Sequence, residues 1–220
     1  MIFQYLPELF SDPLGTFALI CTIIGAIIVA VTIHEFSHAF TSNILGDHTA
    51  KGMGRLTFNP ISHLDPIGTL LFLTAGFGWG KPVPVNPAMI DKIDPRIGMP
   101  IISLAGPASN FIGALVGALL LRNELIFSIT NGQSQNILVV FVYISIALMI
   151  INLLPLPPLD GYKVALGVLP TSLGTKLAQL ERLGPLPLLA LLLVEFIIPG
   201  MSIISVLIGG PLRLLTSLVL

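Results

Sequence analysis

The sequence predicts an all-α polytopic membrane protein with about four to six transmembrane helices, because several uncharged runs match the thickness of a bilayer. Its residues are 54% hydrophobic and only 10% charged, and its mean hydropathy is +0.96. Soluble globular domains carry about 25% charged residues, so this composition excludes one. We expect residues 1–220 to form a single membrane domain, since no shift in composition marks a second module.

The apolar runs give the candidate helices. Residues 14–33 carry no charge, and at 1.5 Å per residue such a helix crosses roughly 30 Å of hydrocarbon. No Lys or Arg precedes this run, so we expect a retained membrane helix and not a cleaved signal peptide. The helix can continue through a polar motif to about Leu45. Further runs lie at 97–121 and 137–154, and the chain after Leu183 supplies one or two more.

Two shorter segments complete the predicted fold. Residues 67–80 would reach only about 21 Å as a helix, which is too short to cross, so this segment is either re-entrant or packed at the membrane surface. Residues 50–60, AKGMGRLTFNP, have turn residues at both ends and predict a short β element. We expect the edge of this element to pair with an extended peptide.

The positive charges predict the orientation. If residues 67–80 do not cross, one face of the membrane receives most of the basic residues and the opposite loop receives only Arg122. The positive-inside rule makes that face cytoplasmic, so the N-terminus of this multi-pass cell-membrane protein lies outside. No basic stripe predicts binding to nucleic acid. The cytoplasmic charges are Lys51, Arg55, Lys81, Lys92, Arg96, Lys163, Lys176 and Arg182.

The motif HEFSH, from His34 to His38, lies at the predicted cytoplasmic end of the first run. Residues four apart share one helix face, so the two histidines can bind one metal ion, and zinc is the natural occupant. Glu35 is placed to take a proton from a water molecule that attacks a carbonyl and to deliver a proton to the leaving amine. A pair of packed polar residues is the alternative, but ionisable residues in membrane segments are costly and usually functional.

A third zinc ligand is needed, because catalytic zinc usually has three protein ligands. Asp160 is the leading candidate: its motif LPLPPLDG follows the run 137–154, and the predicted topology brings it to the same face as the histidines. The alternative is an ordinary turn of Pro, Asp and Gly, but the shared depth favours ligation. His63, in the loop after the motif helix, is more simply a packing histidine, with an auxiliary ligand as the alternative.

These motifs resemble those of the site-2 protease family of intramembrane zinc metalloproteases. HEFSH on an early helix is paired with NLLPLPPLDG, which begins at Asn152. GPASN, residues 106–110, matches the family's G-P-x-x-N element, and GWGKPVPVNP, residues 78–87, resembles its loop between core helices. Many relatives also carry a PDZ or CBS domain, which this sequence lacks.

The resemblance implies the site and the activity. His34, His38 and Asp160 would bind Zn²⁺, and Glu35 would be the catalytic base. The protein would then be an endopeptidase that cleaves peptide bonds within or near transmembrane segments, with the lipid bilayer and transmembrane substrates as its partners. One alternative is a catalytically silent relative that binds membrane clients, against which the intact glutamate argues. Another is a metal transporter, which would need a path of ligands across the bilayer.

Two asparagines are further candidates for the site. Asn152 precedes Asp160 by eight residues, and by family resemblance and position we expect it to donate to the developing oxyanion or to the substrate backbone. Asn110 could act in the same way. A packing role between membrane helices is at least as favoured for Asn110, since Gly113 and Gly117 form a surface of small residues on the same helix.

Overall fold

A computed structural model describes residues 11–69, 80–124, 128, 133–197 and 205–220. Within these residues the chain is mainly helical. The α-helices are α1 (Pro13–Ile44), α2 (Thr49–Gly52), α3 (Pro95–Leu121), α4 (Gln133–Asn152), α5 (Asp160–Val168), α6 (Thr171–Ala178), α7 (Leu186–Ile197) and α8 (Gly210–Val219). Short 3₁₀ segments lie at Pro60–Ser62, Pro87–Met89 and Gln179–Leu183, and a π-helical turn, Ser205–Gly209, precedes α8.

Among the described residues, three helices are long and apolar enough to cross a membrane: α1, α3 and the Gln135–Asn152 part of α4. They coincide with the first three predicted runs, which are therefore confirmed as helices. The predicted total of four to six spans is not confirmed. After residue 183 the described helices α7 and α8 cover 12 and 10 residues, and residues 198–204 between them lie outside the described residues.

The two longest helices begin with the same local signal. The Oδ1 atom of Asp12 accepts a hydrogen bond from the amide of Gly15 at 3.0 Å, and Asp94 Oδ1 accepts one from the amide of Arg96 at 2.8 Å. A proline follows each aspartate, where its missing N–H removes a donor that would otherwise be unpaired. These caps fix where α1 and α3 begin.

Helix α3 is the centre of the fold and packs against α1, α4 and α5. Where α3 meets α4, Gly117 lets the two backbones approach closely, because no side chain separates it from Val142 and Phe141. The buried core at this contact is formed by residues of α3 and α4 together with Val219 of α8. The core residues are Ala114, Ala118, Val142, Ile146, Ile150 and Val219.

The β element predicted for residues 50–60 is wrong. Thr49–Gly52 is a short helix, and Gly54, at φ +70°, reverses the chain after it. The amide of Arg55 then donates to the carbonyl of Ala50 at 2.9 Å, so the backbone groups at this helix end are satisfied within the turn. An isolated antiparallel bridge between Leu64 and Gly80 is the β pairing found in the described part of the chain.

The loops that follow α1 and precede α3 are joined to each other. Asp47 accepts hydrogen bonds from the amides of Thr49 at 3.0 Å and Asn86 at 2.8 Å. The amide of Lys81 donates to the carbonyl of His63 at 2.8 Å. Residues 45–69 and 80–94 therefore form a connected layer at one end of α1. Of the segment predicted to be re-entrant or surface-packed, residues 70–79 lie outside the described residues.

A matched pair of glycine substitutions tests the packing of α3 on α4. An added Cβ would lie 2.9 Å from Val142 Cγ2 at Gly117, but 3.5 Å from the nearest Phe141 atom at Gly113. Both Gly→Ala changes gain the same helix propensity, so their difference isolates the packing term. We expect Gly117→Ala to be less stable than Gly113→Ala by about 1–3 kcal/mol, measured by thermal unfolding in detergent. Equal melting temperatures would contradict this close contact.

Candidate metal centre

Helix α1 and the start of α5 bring three metal-binding side chains to one point. His34 and His38 are buried on α1, with ring centroids 4.6 Å apart and planes at 84°. The Oδ2 atom of Asp160 lies 3.1 Å from the Nε2 atom of each histidine. One donor atom from each residue falls within 4.8 Å of the others, so these three could hold one metal ion. The predicted ligands are thus brought together.

The position of Asp160 depends on the glycine that follows it. Asp160 is the first residue of α5, which packs against α3. A Cβ at Gly161 would collide with the backbone carbonyl of Leu153, one residue after the end of α4. Only glycine permits this approach, so the Asp-Gly pair of the motif turns the chain tightly and directs the aspartate toward α1.

Electrostatics keep Asp160 ionised. Burial raises the pKa of its carboxyl group, but the contacts with His34 and His38 lower the pKa more, so it lies below its usual range. The side chain is 15% exposed. Asp160 is therefore available as an anionic oxygen donor beside two imidazoles.

The hydrogen bonding of His38 suits a metal ligand. Its Nδ1 atom lies 2.6 Å from the carbonyl oxygen of Ile102 on α3. A carbonyl can only accept, so Nδ1 carries the proton, and in the neutral ring Nε2 presents a lone pair. Nε2 lies 3.1 Å from the Asp160 carboxylate, so the two atoms can share a proton or can together bind a metal ion. Two imidazole nitrogens and one carboxylate oxygen are a typical zinc donor set.

Gly106 provides the space beside the donor atoms. It lies on α3, and an added Cβ would collide with His38 Nε2 and would lie 2.6 Å from His34 Nε2. The sequence had pointed to this glycine only as part of the family element GPASN. A glycine inside a long apolar helix costs about 1 kcal/mol relative to alanine, and that cost is the signal of a packing or functional reason.

Glu35 lies on the side of the site that faces the loops. Its Oε1 atom is 3.5 Å from the position a Cβ would take at Gly80. Arg55, only 5% exposed, donates through Nη2 to the carbonyl of Lys81 and interacts electrostatically with Glu35. The sequence had indicated Arg55 only as a cytoplasmic charge. It instead places a positive charge near the candidate base.

Of the three other candidate residues, Asn110 contacts one of the two histidines, whereas Asn152 and His63 bond to backbone carbonyl groups close to them in sequence. The Nδ2 atom of Asn110, which is buried on α3, lies 3.0 Å from His34 Nδ1. Asn152 donates through Nδ2 to the carbonyl of Leu148, one turn earlier in α4, at 3.0 Å. His63 is fully buried, and its Nε2 donates to the carbonyl of Thr57 at 2.7 Å.

A group of potential metal ligands on an apolar helix long enough to span a membrane is typical of membrane-embedded metallopeptidases, and comparisons with known proteins show this class. Residues 122–192 match the model of Peptidase family M50. The chain is 43% identical over 164 residues to "Putative zinc metalloprotease YwhC" of Bacillus subtilis, an alignment that covers 72% of this chain and 74% of that protein. No solved structure matches the chain.

Two proteins named "Putative zinc metalloprotease Rip2" are more distant. The identity is 29% for the one from Mycolicibacterium smegmatis and 31% for the one from Mycobacterium tuberculosis H37Rv, over 68% and 69% of this chain. The chain spans 58% of the length of each. The chain belongs to Peptidase family M50, the site-2 protease family. It is a zinc metallopeptidase, so the resemblance seen in its motifs is confirmed.

Gly106→Ala tests the space beside the donor atoms. The new methyl group would occupy the position next to both Nε2 atoms, so we expect zinc content to fall to near zero. Helix propensity would rise by about 1 kcal/mol, which offsets part of the roughly 1–3 kcal/mol that overpacking costs, so the helical content of the variant is measured together with its zinc content. Zinc analysis of purified protein and circular dichroism measure the two effects. Gly113→Ala, on the same helix, is the matched control and should retain zinc; full zinc content in Gly106→Ala would rule out this location for the metal.

Proposed function

We propose that this chain is an intramembrane zinc endopeptidase that hydrolyses peptide bonds within or near transmembrane segments of other membrane proteins. The observation that carries this proposal is the buried group of His34, His38 and Asp160 at the end of the apolar part of α1. Ionisable groups are costly at such a position in a bilayer, so three that converge there support a functional site. Membership of a protease family supplies the reaction class.

His34 and His38 would hold the zinc ion through Nε2, and Asp160 would hold it through Oδ2. Three protein ligands leave a position for a water molecule or the substrate. When bound, the zinc ion polarises the carbonyl of the scissile peptide and lowers the pKa of a water molecule. The side chains of the protein then have to fix the donor atoms and manage the protons.

Glu35 would act as the base. In hydrolysis a bond forms between the water oxygen and the carbonyl carbon, and the carbon–nitrogen bond breaks. Glu35 takes the proton released by the water and delivers a proton to the leaving nitrogen, so the carboxylate is regenerated at the end. Its position next to His34 in sequence and its location beside Gly80 of the loop layer support this role.

Asn152 would bind the substrate backbone. Its Nδ2 group has two hydrogens, and the hydrogen bond to Leu148 uses one of them. The second hydrogen and the Oδ1 atom can pair with an unwound peptide, or the hydrogen can stabilise negative charge that develops on the scissile carbonyl oxygen. The short connection from Asn152 to Asp160 supports a position near the site.

The active site would open toward the cytoplasm. The layer formed by residues 45–69 and 80–94 lies at the end of α1 that carries the histidines, and it contains exposed Lys51, Lys81 and Lys92. Polar loops at this end would give water a route to a site that is otherwise enclosed by apolar helices. The basic residues support a cytoplasmic location for this layer and an external N-terminus.

A catalytically silent relative that binds membrane clients is the second candidate. It would need the same helices but no base, so Glu35 distinguishes the two functions. The retained glutamate beside a complete donor set favours the protease.

Glu35→Gln is expected to abolish cleavage and to leave zinc content unchanged, because the amide has nearly the same shape but cannot accept the proton. Cleavage of a purified transmembrane substrate and zinc analysis are measured together. Glu181→Gln, at an exposed position outside the membrane helices, is the matched control and should retain both properties. Loss of zinc in Glu35→Gln would make Glu35 a ligand, and retained cleavage would refute its role as the base.

The topology can be tested by cysteine labelling in a Cys21→Ala background. Cysteines that replace Lys51 and Lys92 should react with an impermeant maleimide only from the cytoplasmic side, because both residues belong to the layer at the histidine end of α1. A cysteine that replaces Asn131 should react only from outside. If Lys51 and Lys92 were labelled from opposite sides, residues 67–80 would cross the membrane and the proposed orientation would fail.

A further inference from the structure

Asn110 has an unusual hydrogen-bonding position. It is almost completely buried in the middle of α3, 1% exposed, with Nδ2 3.0 Å from His34 Nδ1. Its Oδ1 atom is also buried and has no hydrogen-bond partner within the described residues. A buried carbonyl oxygen without a partner costs free energy, so this arrangement calls for an explanation.

The chemistry of His34 supplies the explanation. A neutral imidazole carries one proton, and a ring that binds zinc through Nε2 must carry that proton on Nδ1. Nδ1–H then needs an acceptor, and the NH₂ group of an amide cannot accept. A half-turn of the Asn110 carboxamide exchanges its oxygen and nitrogen, which are close in size. The half-turn brings Oδ1 to His34 Nδ1, so the proton finds an acceptor and the oxygen finds a partner.

A second contact on α3 follows the same logic. Ile102 accepts from His38 Nδ1 through its backbone carbonyl, and Gly106 leaves room beside both Nε2 atoms. Ile102, Gly106 and Asn110 are spaced by four residues, so they lie along one face of α3. That face therefore offers one acceptor for each histidine, with the opening between them.

We propose that Asn110 accepts a hydrogen bond from His34 Nδ1–H through Oδ1 and so fixes the ring in the tautomer that binds zinc. Asn110 is then a positioning residue, instead of the packing residue or the donor to the substrate that the sequence left open, and Asn152 is the remaining candidate for that donor. This inference rests on the proposed metal site. It predicts that tight zinc binding needs a hydrogen-bond acceptor at position 110 and does not need a hydrogen-bond donor there.

The test measures zinc affinity by competition with a chelator, starting from metal-free protein. Asn110→Leu has a similar volume and no acceptor, and we expect its affinity to fall roughly 10- to 100-fold, as for other partners of metal-bound histidines. Asn110→Asp keeps only acceptors and should stay within about threefold of wild type or bind more tightly. Asn110→Ala also removes the acceptor but adds no bulk. It replaces Asn110→Leu in the comparison if the leucine variant misfolds. Ser145→Ala, which removes another buried polar atom from a membrane helix, is the control and should bind normally.

The visible spectrum of the cobalt-substituted protein gives a second reading, because it reports the geometry of the ligands. We expect it to change in Asn110→Ala and Asn110→Leu and to be preserved in Asn110→Asp. Equal affinities in all variants, or equal losses in the aspartate and alanine variants, would overturn the role of Asn110 and leave the metal site in place. If the wild type itself bound no zinc, the proposed site would fail.

Discussion

The rest of the structure depends on the burial of two imidazoles and a carboxylate at one point between apolar helices. Nε2 of His34 and Nε2 of His38 each lie 3.1 Å from Asp160 Oδ2, and Nδ1 of His38 donates to the carbonyl of Ile102. An ionised carboxylate in such surroundings costs several kcal/mol unless it is compensated, and a divalent cation compensates it while it satisfies all three donors. The three side chains come from α1 and α5, and both of these helices pack against α3 although they are far apart in sequence.

Small residues on helix α3 allow the neighbouring helices to approach it closely. Lipid is as apolar as a helix surface, so membrane helices gain most from close packing and from hydrogen bonds between them. Gly117 allows the close contact with α4, and Gly106 allows a similarly close approach to α1 beside the Nε2 atoms of His34 and His38. The carbonyl of Ile102, one turn before Gly106, reaches His38 because the helices are so close. Close helix packing and ligand orientation therefore have one structural cause.

Much of this arrangement could be predicted from the sequence because it is local. An uncharged run of sufficient length gives a membrane helix, and two histidines four residues apart share a face of it, whatever the rest of the fold. Asp160 was predictable through the topology, since the positive charges put its motif on the face of the histidines. The roles of Gly106 and the Ile102 carbonyl were not predictable, because they depend on how α1 and α3 cross. The strand expected at 50–60 failed because turn residues suit a helix end as well as a hairpin.

In the loop layer, contacts between residues far apart in sequence give Arg55 a role that its sequence position alone does not indicate. The charge pattern predicts Arg55 only as a cytoplasmic charge, yet it is buried, donates to the carbonyl of Lys81 and interacts electrostatically with Glu35. Gly80, next to Lys81, packs against Glu35, so Arg55 links the loop after α1 to the segment that covers the candidate base. Glu35 is therefore not an isolated carboxylate in an apolar medium, because a cation lies in the same buried region. The basic residues on which the predicted orientation rests thus include one that shapes the electrostatics around the candidate base.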